Sequence, residues 1–148
     1  MPTFGGCELF RMAKLTLDFY EDYNFDLIGI CSHVKDYRLV WALNNSLEFD
    51  FVKEDNYDLN LKGETQSHSY YEYIDDENAL QYSLINNHSD SGYLIPEEKS
   101  CDYLLVIKGM LVDELREEMV KRIAQIKHVL TAYTVDVNEL KSKENLLF

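Results

Sequence analysis

Two short segments that are apolar at every position predict central strands of a sheet. Residues 27–31 have the sequence Leu-Ile-Gly-Ile-Cys, and residues 103–107 have the sequence Tyr-Leu-Leu-Val-Ile. A strand covered on both faces carries apolar side chains at consecutive positions, whereas a half-exposed strand alternates. We therefore expect both strands to lie in the middle of the sheet.

Apolar residues recur at three- and four-residue steps in two further segments, which predicts two amphipathic helices. The first begins after Ser32, the expected N-cap. Its apolar positions are Val34, Tyr37, Val40, Trp41 and then Leu43. The second covers residues 112–126 and carries acidic side chains early and basic ones later, which suits the helix dipole. We expect Trp41 to pack on the sheet.

Alternating apolar and polar residues predict half-buried strands elsewhere. They fall near residues 15–19, 47–51, 59–61, 70–74 and 80–84. Residues 129–135 predict another strand, and an extension of the second helix through Leu130 and Tyr133 is the alternative. Strands clustered between two helices predict one α+β domain, mainly an antiparallel sheet with both principal helices on one face.

The regular pattern starts at Met12, which sets the predicted domain at residues 12–148. Residues 1–11 show no sustained alternation and are predicted to be a poorly ordered or dispensable extension. A chain that starts at Met12 is therefore expected to keep its melting temperature.

The chain is strongly acidic, and the acid is unevenly distributed. Its 148 residues include 14 Lys and Arg against 27 Asp and Glu, a net charge of −13. Residues 1–107 hold 20 of the acidic residues and 7 of the basic ones, while residues 108–148 are balanced. Nucleic acids and anionic membranes are disfavoured partners, because both are bound mainly through Lys and Arg.

Acidic residues in the predicted turns form a candidate interaction surface, which comprises Glu54, Asp55, Asp75, Asp76 and Glu77. A partner of this surface should be a basic protein, and its association should weaken in salt. The alternative is that the charge serves solubility alone.

No catalytic, metal-binding or cofactor-binding motif is present in the sequence. The three cysteines are far apart and odd in number, which favours reduced thiols in the cytoplasm. Cys31 and His33 are two residues apart, but packing of a strand end explains Cys31 better than a metal does. His68 and His88 have serine neighbours without any nucleophile-elbow pattern. We predict no cofactor, no metal, no secretory signal and no membrane span.

One motif resembles that of a known family. Ile95, Pro96 and Glu97, followed by Cys101, Asp102 and Tyr103, resemble the motif of the IPExxVDY family of Bacteroidota. Further blocks of residues 27–44 and 131–146 are similar to the same family. Three residues separate Glu97 from Cys101 where the motif has two, so either Glu97 or Glu98 is the motif glutamate, and cysteine replaces valine.

The resemblance implies a cytoplasmic bacterial protein and carries no catalytic residue over. From the residues themselves we interpret the motif as structural: Pro96 ends a strand, Asp102 caps a turn and Tyr103 begins the central strand.

Two functions remain from the sequence. The first is a non-enzymatic binding or adaptor domain with an acidic, tyrosine-rich surface. Such a domain could form a homodimer through an exposed sheet edge. The alternative is a small-molecule-binding protein or enzyme with a pocket between sheet and helices. A deep pocket that holds an Asp, His or Cys with a strongly shifted pKa would favour the alternative, and a shallow surface would favour the adaptor.

Overall fold

The computed structural model describes residues 25–61 and 63–146 of the chain. Its two helices are α1 (Asp36–Leu47) and α2 (Asp113–Ala124). Its strands are β1 (Asp26–Cys31), β2 (Val52–Lys53), β3 (Tyr57–Leu61), β4 (Glu64–His68), β5 (Tyr70–Asp75), β6 (Leu80–Asn86), β7 (Tyr103–Lys108) and β8 (Thr131–Val135). Short 3-10 turns cover Pro96–Glu98, Val137–Glu139 and Lys143–Leu146. The predicted extension 1–11 and the predicted strand 15–19 lie outside the described residues.

Six strands form one antiparallel sheet in the order β2-β5-β6-β7-β1-β8, and β3 and β4 form a separate hairpin. The two segments predicted as central strands are β1 and β7, and they pair with each other from Asp26↔Ile107 to Ile30↔Tyr103. Their interior positions are buried almost without exception. The α+β prediction is confirmed.

Both helices pack on the same face of the sheet, as predicted. Ile28, Ile30 and Leu105 point to this face and contact a core that includes Leu39 and Leu43 of α1. The opposite face is covered by the β3–β4 hairpin, the motif segment and the C-terminal turns. This second core contains Leu27, Ile85, Leu94, Ile95, Cys101, Leu104, Val106, Val135, Val137, Leu140 and Leu146.

The two helices run in opposite directions, and the strand register defines two ends of the sheet. We call the end with Cys31 and Tyr103 the upper end and the end with Asp26 and Ile107 the lower end. The helix α1 follows β1 and starts at the upper end, where the Tyr103 hydroxyl donates to the Val34 carbonyl. The helix α2 follows β7 and starts at the lower end, where Arg116 pairs with Asp26 at 2.8 Å.

Two local predictions are resolved by contacts. Ser32 is not the N-cap: its hydroxyl donates to the His128 carbonyl at 2.7 Å, and α1 begins after Lys35 without a side-chain cap. The segment after α2 forms the strand β8, because the backbone turns through residues 125–130 and Thr131 then pairs with Cys31. The helical alternative for that segment is wrong.

Candidate functional site

The exposed aromatic side chains of α1 are the most unusual surface feature among the described residues. Trp41 is 69% exposed and Tyr37 is 61% exposed. The prediction that Trp41 packs on the sheet is therefore wrong. The buried residues of α1 are Leu39, Val40, Ala42 and Leu43. These compact side chains fit against the sheet, and this rotation of the helix turns the larger aromatic rings to solvent.

A groove beside these rings has a volume of about 390 Å³ and is lined by Tyr37, Arg38, Trp41 and His128. Three of its residues come from the first half of α1, and His128 comes from the turn that follows α2. The hydrogen bond from Ser32 to the His128 carbonyl ties that turn to the end of β1. The groove thus lies on the outer side of α1, and not between α1 and the sheet.

The polar ends of the groove residues lack partners. Within residues 25–61 and 63–146, the Tyr37 hydroxyl, the Arg38 guanidinium, the Trp41 indole N–H and the His128 ring make no hydrogen bond or ion pair. Aromatic and arginine side chains with free polar atoms are the residue types that dominate protein interfaces. The groove can therefore contact a ligand or a partner without first breaking internal bonds.

Cationic side chains cluster around this groove. Lys35, Arg38 and Lys127 are exposed near the upper end of the helical layer, and we call these three residues the basic end. Asp36 is also there, but it accepts hydrogen bonds from the Tyr71 hydroxyl and from the Tyr37 backbone. The groove is thus locally basic on a chain whose net charge is −13.

The candidate acidic surface divides into two parts at opposite ends of β5. Glu54 lies beside the start of β5, because its backbone N–H donates to the Tyr70 carbonyl at 3.0 Å. Asp75, Asp76 and Glu77 lie at the end of β5 and in the turn after it. The 6 residues of β5 span about 17 Å at the usual rise of a strand. Asp55 follows Glu54 and lies at the same end of β5. The five residues of the candidate surface therefore form two separate groups and not one patch.

Asp50 joins the second part, which sequence reasoning missed. Burial raises the pKa of Tyr73 first, and a set of carboxylates raises it further: Asp75, Asp50, Glu77 and Asp76. We call these four residues the acidic corner. The corner lies at the lower end, because Tyr73 stacks on Tyr82, which pairs with Ile107. Asp50 and Asp75 are 25 positions apart in the sequence, so no local sequence pattern shows that they are close.

The motif residues hold the fold together. Pro96 begins a 3-10 turn, and the Glu97 carboxylate accepts from the backbone N–H and the hydroxyl of Ser142. Asp102 accepts from the Ser32 N–H at 2.8 Å and pairs with His88 at 3.1 Å. Tyr103 is buried and starts β7. These contacts support a structural role for the motif, and Tyr103 begins the central strand as predicted. Two details of the prediction are wrong: Pro96 follows a bend and ends no strand, and the Asp102 carboxylate bonds Ser32 and His88 instead of capping a turn.

Cys101 and Ile95 are also buried, and both lie beside Asn87, a buried residue that no pattern in the sequence singled out. The Asn87 amide donates to the carbonyls of Glu98 and Cys101 at 2.9 and 3.0 Å. Its oxygen accepts from the Ile95 N–H at 2.8 Å. One asparagine therefore satisfies the backbone on both sides of the 3-10 turn.

The groups that resemble catalytic machinery are engaged elsewhere. His88 is oriented by Asp102, but the neighbouring Ser89 hydroxyl donates to the Gly92 carbonyl at 2.9 Å. Burial raises the pKa of the Cys101 thiol to about 12 and also raises the pKa of Cys31. A thiol with a raised pKa is a poor nucleophile at neutral pH. Over the described ranges, no three His, Cys, Asp or Glu side chains converge as a metal site.

Comparison with known proteins adds no assignment. No family model matches the chain, and no curated protein matches it. The resemblance to the IPExxVDY family therefore stays a prediction. None of the described helices is long and apolar enough to cross a membrane.

Proposed function

We propose that the protein is a non-enzymatic binding or adaptor domain that contacts its partner through the outer face of α1. The single observation that carries this proposal is the exposure of Trp41 and Tyr37 on one helix face. Tryptophan and tyrosine are the residues most enriched at the energetic centre of interfaces. An exposed aromatic patch lowers the solubility of a protein. A role in contacting a partner would explain why these aromatic residues are exposed.

The charge pattern supports a basic partner for part of this surface. The acidic corner is close to the end of α1, since Phe49 stacks on both Tyr73 and Tyr82. Exposed carboxylates mainly accelerate association with a basic partner and do so less in salt. The same charge disfavours nucleic acid and anionic membranes as partners.

A small-molecule-binding protein or enzyme is the second candidate. The groove volume of about 390 Å³ falls in the range of ligand sites, roughly 300–1,000 Å³. Arg38 and His128 would suit an anionic ligand with a flat ring that stacks on Trp41. This groove lies outside the sheet–helix interface where the pocket was expected, and most of its aromatic surface is open to solvent.

The single tryptophan of the chain gives a direct test, because Trp41 fluorescence reports on the groove alone. Lysate of the source organism is separated by size into a small-molecule fraction and a protein fraction. Each fraction is titrated into the purified protein, and the fluorescence of the fraction alone is subtracted. A blue shift with the protein fraction supports the adaptor, and a response confined to the small-molecule fraction supports the second candidate. No response to either fraction contradicts both candidates at this site.

A matched pair of variants extends the test to capture. Trp41→Ser should lose the captured partner, whereas Val52→Ser, which changes another exposed apolar residue, on β2, should retain it. Reversal of Asp75, Asp76 and Glu77 to Lys should slow capture at low salt and matter little at high salt. Equal capture by the wild type and the triple variant at both salt concentrations would leave the acidic corner as a solubility device.

Membership of the IPExxVDY family and a cytoplasmic location belong to the same proposal. The free thiols of Cys31 and Cys101 suit a reducing compartment. Mass spectrometry of the protein from its native cells, after rapid alkylation, would detect a modified thiol if the location were oxidising.

A further inference from the structure

The side chain of Tyr82 ends in a buried hydroxyl that has no partner inside the described structure. Tyr82 is 3% exposed, and its hydroxyl makes no hydrogen bond to any group within residues 25–61 and 63–146. The other buried tyrosines are paired: Tyr71 donates to the Asp36 carboxylate at 3.1 Å, and Tyr103 donates to the Val34 carbonyl at 2.6 Å. Buried polar groups are nearly always hydrogen-bonded, so the Tyr82 hydroxyl needs an explanation.

This hydroxyl faces the acidic corner. Tyr82 lies opposite Tyr73 on the neighbouring strand, and the two rings stack with their centroids 5.3 Å apart. Two residues further along β5, on the same face of the sheet, lies Asp75, opposite Leu80. Burial raises the pKa of Tyr82 to about 12, and the Asp75 carboxylate is the next largest cause. The hydroxyl therefore points towards the end of β5 that carries the carboxylates.

The carboxylates of the acidic corner have no cationic partner. None of the four forms an ion pair with another of the described residues. Asp75 accepts two hydrogen bonds, and both come from neutral groups of Asn78, the side-chain amide at 2.8 Å and the backbone N–H at 3.3 Å. Asp50, Asp76 and Glu77 are exposed. Four negative charges thus lie around the stacked rings, and no cation of the described chain balances them.

The chemistry of the corner suits a guanidinium group better than a metal ion or an ammonium group. Hard metal ions need several oxygen ligands at about 2.0–2.6 Å, and no three His, Cys, Asp or Glu side chains of the described ranges converge in that way. The corner does carry an aromatic wall, in which the Phe49 ring centroid lies 5.4 Å from that of Tyr73 and 4.7 Å from that of Tyr82. A guanidinium stacks on aromatic rings and reaches several separate acceptors with its five N–H donors, whereas an ammonium is a compact, strongly hydrated charge.

An exposed apolar loop borders the corner. The loop after β7 runs beside the turn after β5, because a Cβ on Gly109 would lie against the Ala79 carbonyl oxygen and the Leu80 side chain. Met110, the next residue of that loop, is 95% exposed. Methionine is a flexible side chain that adapts to varied apolar contacts. Carboxylates beside such a loop fit a protein segment that carries apolar as well as basic residues, and they fit a free small cation less well.

We propose that the acidic corner binds an arginine side chain in a basic segment of the partner protein. This inference rests on the proposed binding function and names the group that the partner presents to the acidic part of the surface. The guanidinium stacks on the Tyr73 ring and donates to the carboxylates of Asp50 and Asp75. A further N–H group donates to the Tyr82 hydroxyl oxygen, and an apolar neighbour of the arginine contacts Met110.

Titration of the full chain with a blocked peptide of alternating arginine and glycine tests the proposal, with NMR of labelled tyrosine rings as the measurement. The ring signals of Tyr73 and Tyr82 should shift, and the binding should weaken in salt. A lysine peptide of the same length should bind about threefold or more weakly. Unchanged ring signals with the arginine peptide, or equal affinity for the lysine peptide, would overturn the proposal. Calcium chloride that shifts the same signals and displaces the arginine peptide would assign the corner to a metal ion instead.

Tyr82→Phe is the decisive variant, because it removes the hydroxyl alone. A buried hydroxyl without a partner is destabilising, so this variant should unfold at the same urea concentration as the wild type or at a higher one. Its Kd for the arginine peptide should nevertheless rise about threefold or more. Tyr103→Phe removes a buried hydroxyl that has a partner, and it should show the reverse, a lower urea midpoint with an unchanged Kd. A Tyr82→Phe variant that binds as tightly as the wild type would overturn the proposal.

A matched pair of charge variants separates a local site from general attraction. Asp50→Asn should raise the Kd about threefold to tenfold, whereas Asp55→Asn, the same change of charge at the other end of β5, should leave it within about twofold. Equal effects of the two variants would overturn the site, because the peptide would then respond to the net charge alone. The proposed function is decided separately, since the Trp41 response to lysate fractions does not depend on whether the corner binds arginine.

Discussion

The carboxylate of Asp102 accepts a 2.8 Å hydrogen bond from the backbone N–H of Ser32, a contact that spans 70 residues of sequence. Its other oxygen lies 3.1 Å from the His88 ring. Asp102 thus fixes the point where β1 ends and β7 begins, and it links both strands to the loop after β6. This role explains why an acidic residue stands beside the hydrophobic centre of the sheet.

Replacement of Asp102 should therefore be destabilising. Asp102→Ala leaves the Ser32 N–H, on a residue that is 1% exposed, without an acceptor, and we expect a loss of about 1.5–3 kcal/mol. Asp102→Asn keeps one acceptor and should lose less. Urea unfolding measures both, with Asp76→Ala, a change of an exposed carboxylate, as the control that should stay within about 0.5 kcal/mol of the wild type.

Asn87 should be the most sensitive polar residue of the motif region. Asn87→Ala removes the partner of the Ile95 N–H and of the Cys101 carbonyl, and we expect a loss of about 2–4 kcal/mol. Asn87→Asp keeps the acceptor but loses the donors and buries a charge, so it should be no milder at neutral pH. An aspartate variant as stable as the wild type would show that the donated bonds contribute little.

The two faces of α1 should differ sharply in their effect on folding. Trp41→Ala should change the free energy of unfolding by no more than about 0.5 kcal/mol, because the indole is 69% exposed. Leu43→Ala, at a position with no exposure, should lose about 2–5 kcal/mol. Equal losses in thermal unfolding would mean that Trp41 packs inward after all.

The pH dependence of stability should contain a contribution from His68. This ring is fully buried, and its Nδ1 donates to the Asn86 carbonyl at 2.8 Å. Burial lowers the pKa of His68 below its ordinary 6.5, so the unfolded chain takes up the proton first as the pH falls. The contribution is fully present above about pH 6.5, decreases as the pH falls below that value, and is lost once the pH passes the lowered folded pKa.

A variant isolates this contribution from that of the many carboxylates. His68→Gln can still donate to Asn86 but does not titrate. The difference between the unfolding free energies of wild type and variant should shrink as the pH falls from about 7.5 to 5. A difference that stays constant over this range would show that His68 keeps its ordinary pKa.

Position 29 has no room for a side chain larger than that of glycine. A Cβ at this position would collide with the Sγ of Cys101 and lie 3.3 Å from the Tyr133 ring. Gly29→Ala should therefore be destabilising by about 1–3 kcal/mol. Cys101→Ala removes the colliding sulfur, so the double variant should be more stable than the sum of the two single effects predicts.

The sequence predicted the elements best where their pattern depended on burial alone. The runs at 27–31 and 103–107 became β1 and β7 because strands with neighbours and cover on both sides need apolar residues throughout. The strand 129–135 was also identified, although the helical alternative had similar spacing. The predicted strand at 47–51 is wrong, because Leu47 still belongs to α1, residues 48–51 are irregular, and the strand β2 begins only at Val52.

The candidate site could not be derived in the same way. The sequence pattern counted Tyr37 and Trp41 as apolar residues of α1. In the structure the aliphatic side chains that include Leu39 pack on the sheet instead, and the two aromatic rings face solvent. The groove also needs His128, and the acidic corner joins Asp50 to a turn 25 residues later. Such proximities are set by the strand order, which no local pattern encodes.

The place of β1 in the sheet governs how the nascent chain can fold. Both neighbours of β1, the strands β7 and β8, are made long after it. At about 5–20 residues per second, β1 waits roughly 5–20 s on the ribosome before both neighbours exist. Its apolar surface must stay shielded during synthesis, so the first described strand is the segment where a chaperone would bind and where early termination would leave an aggregation-prone fragment.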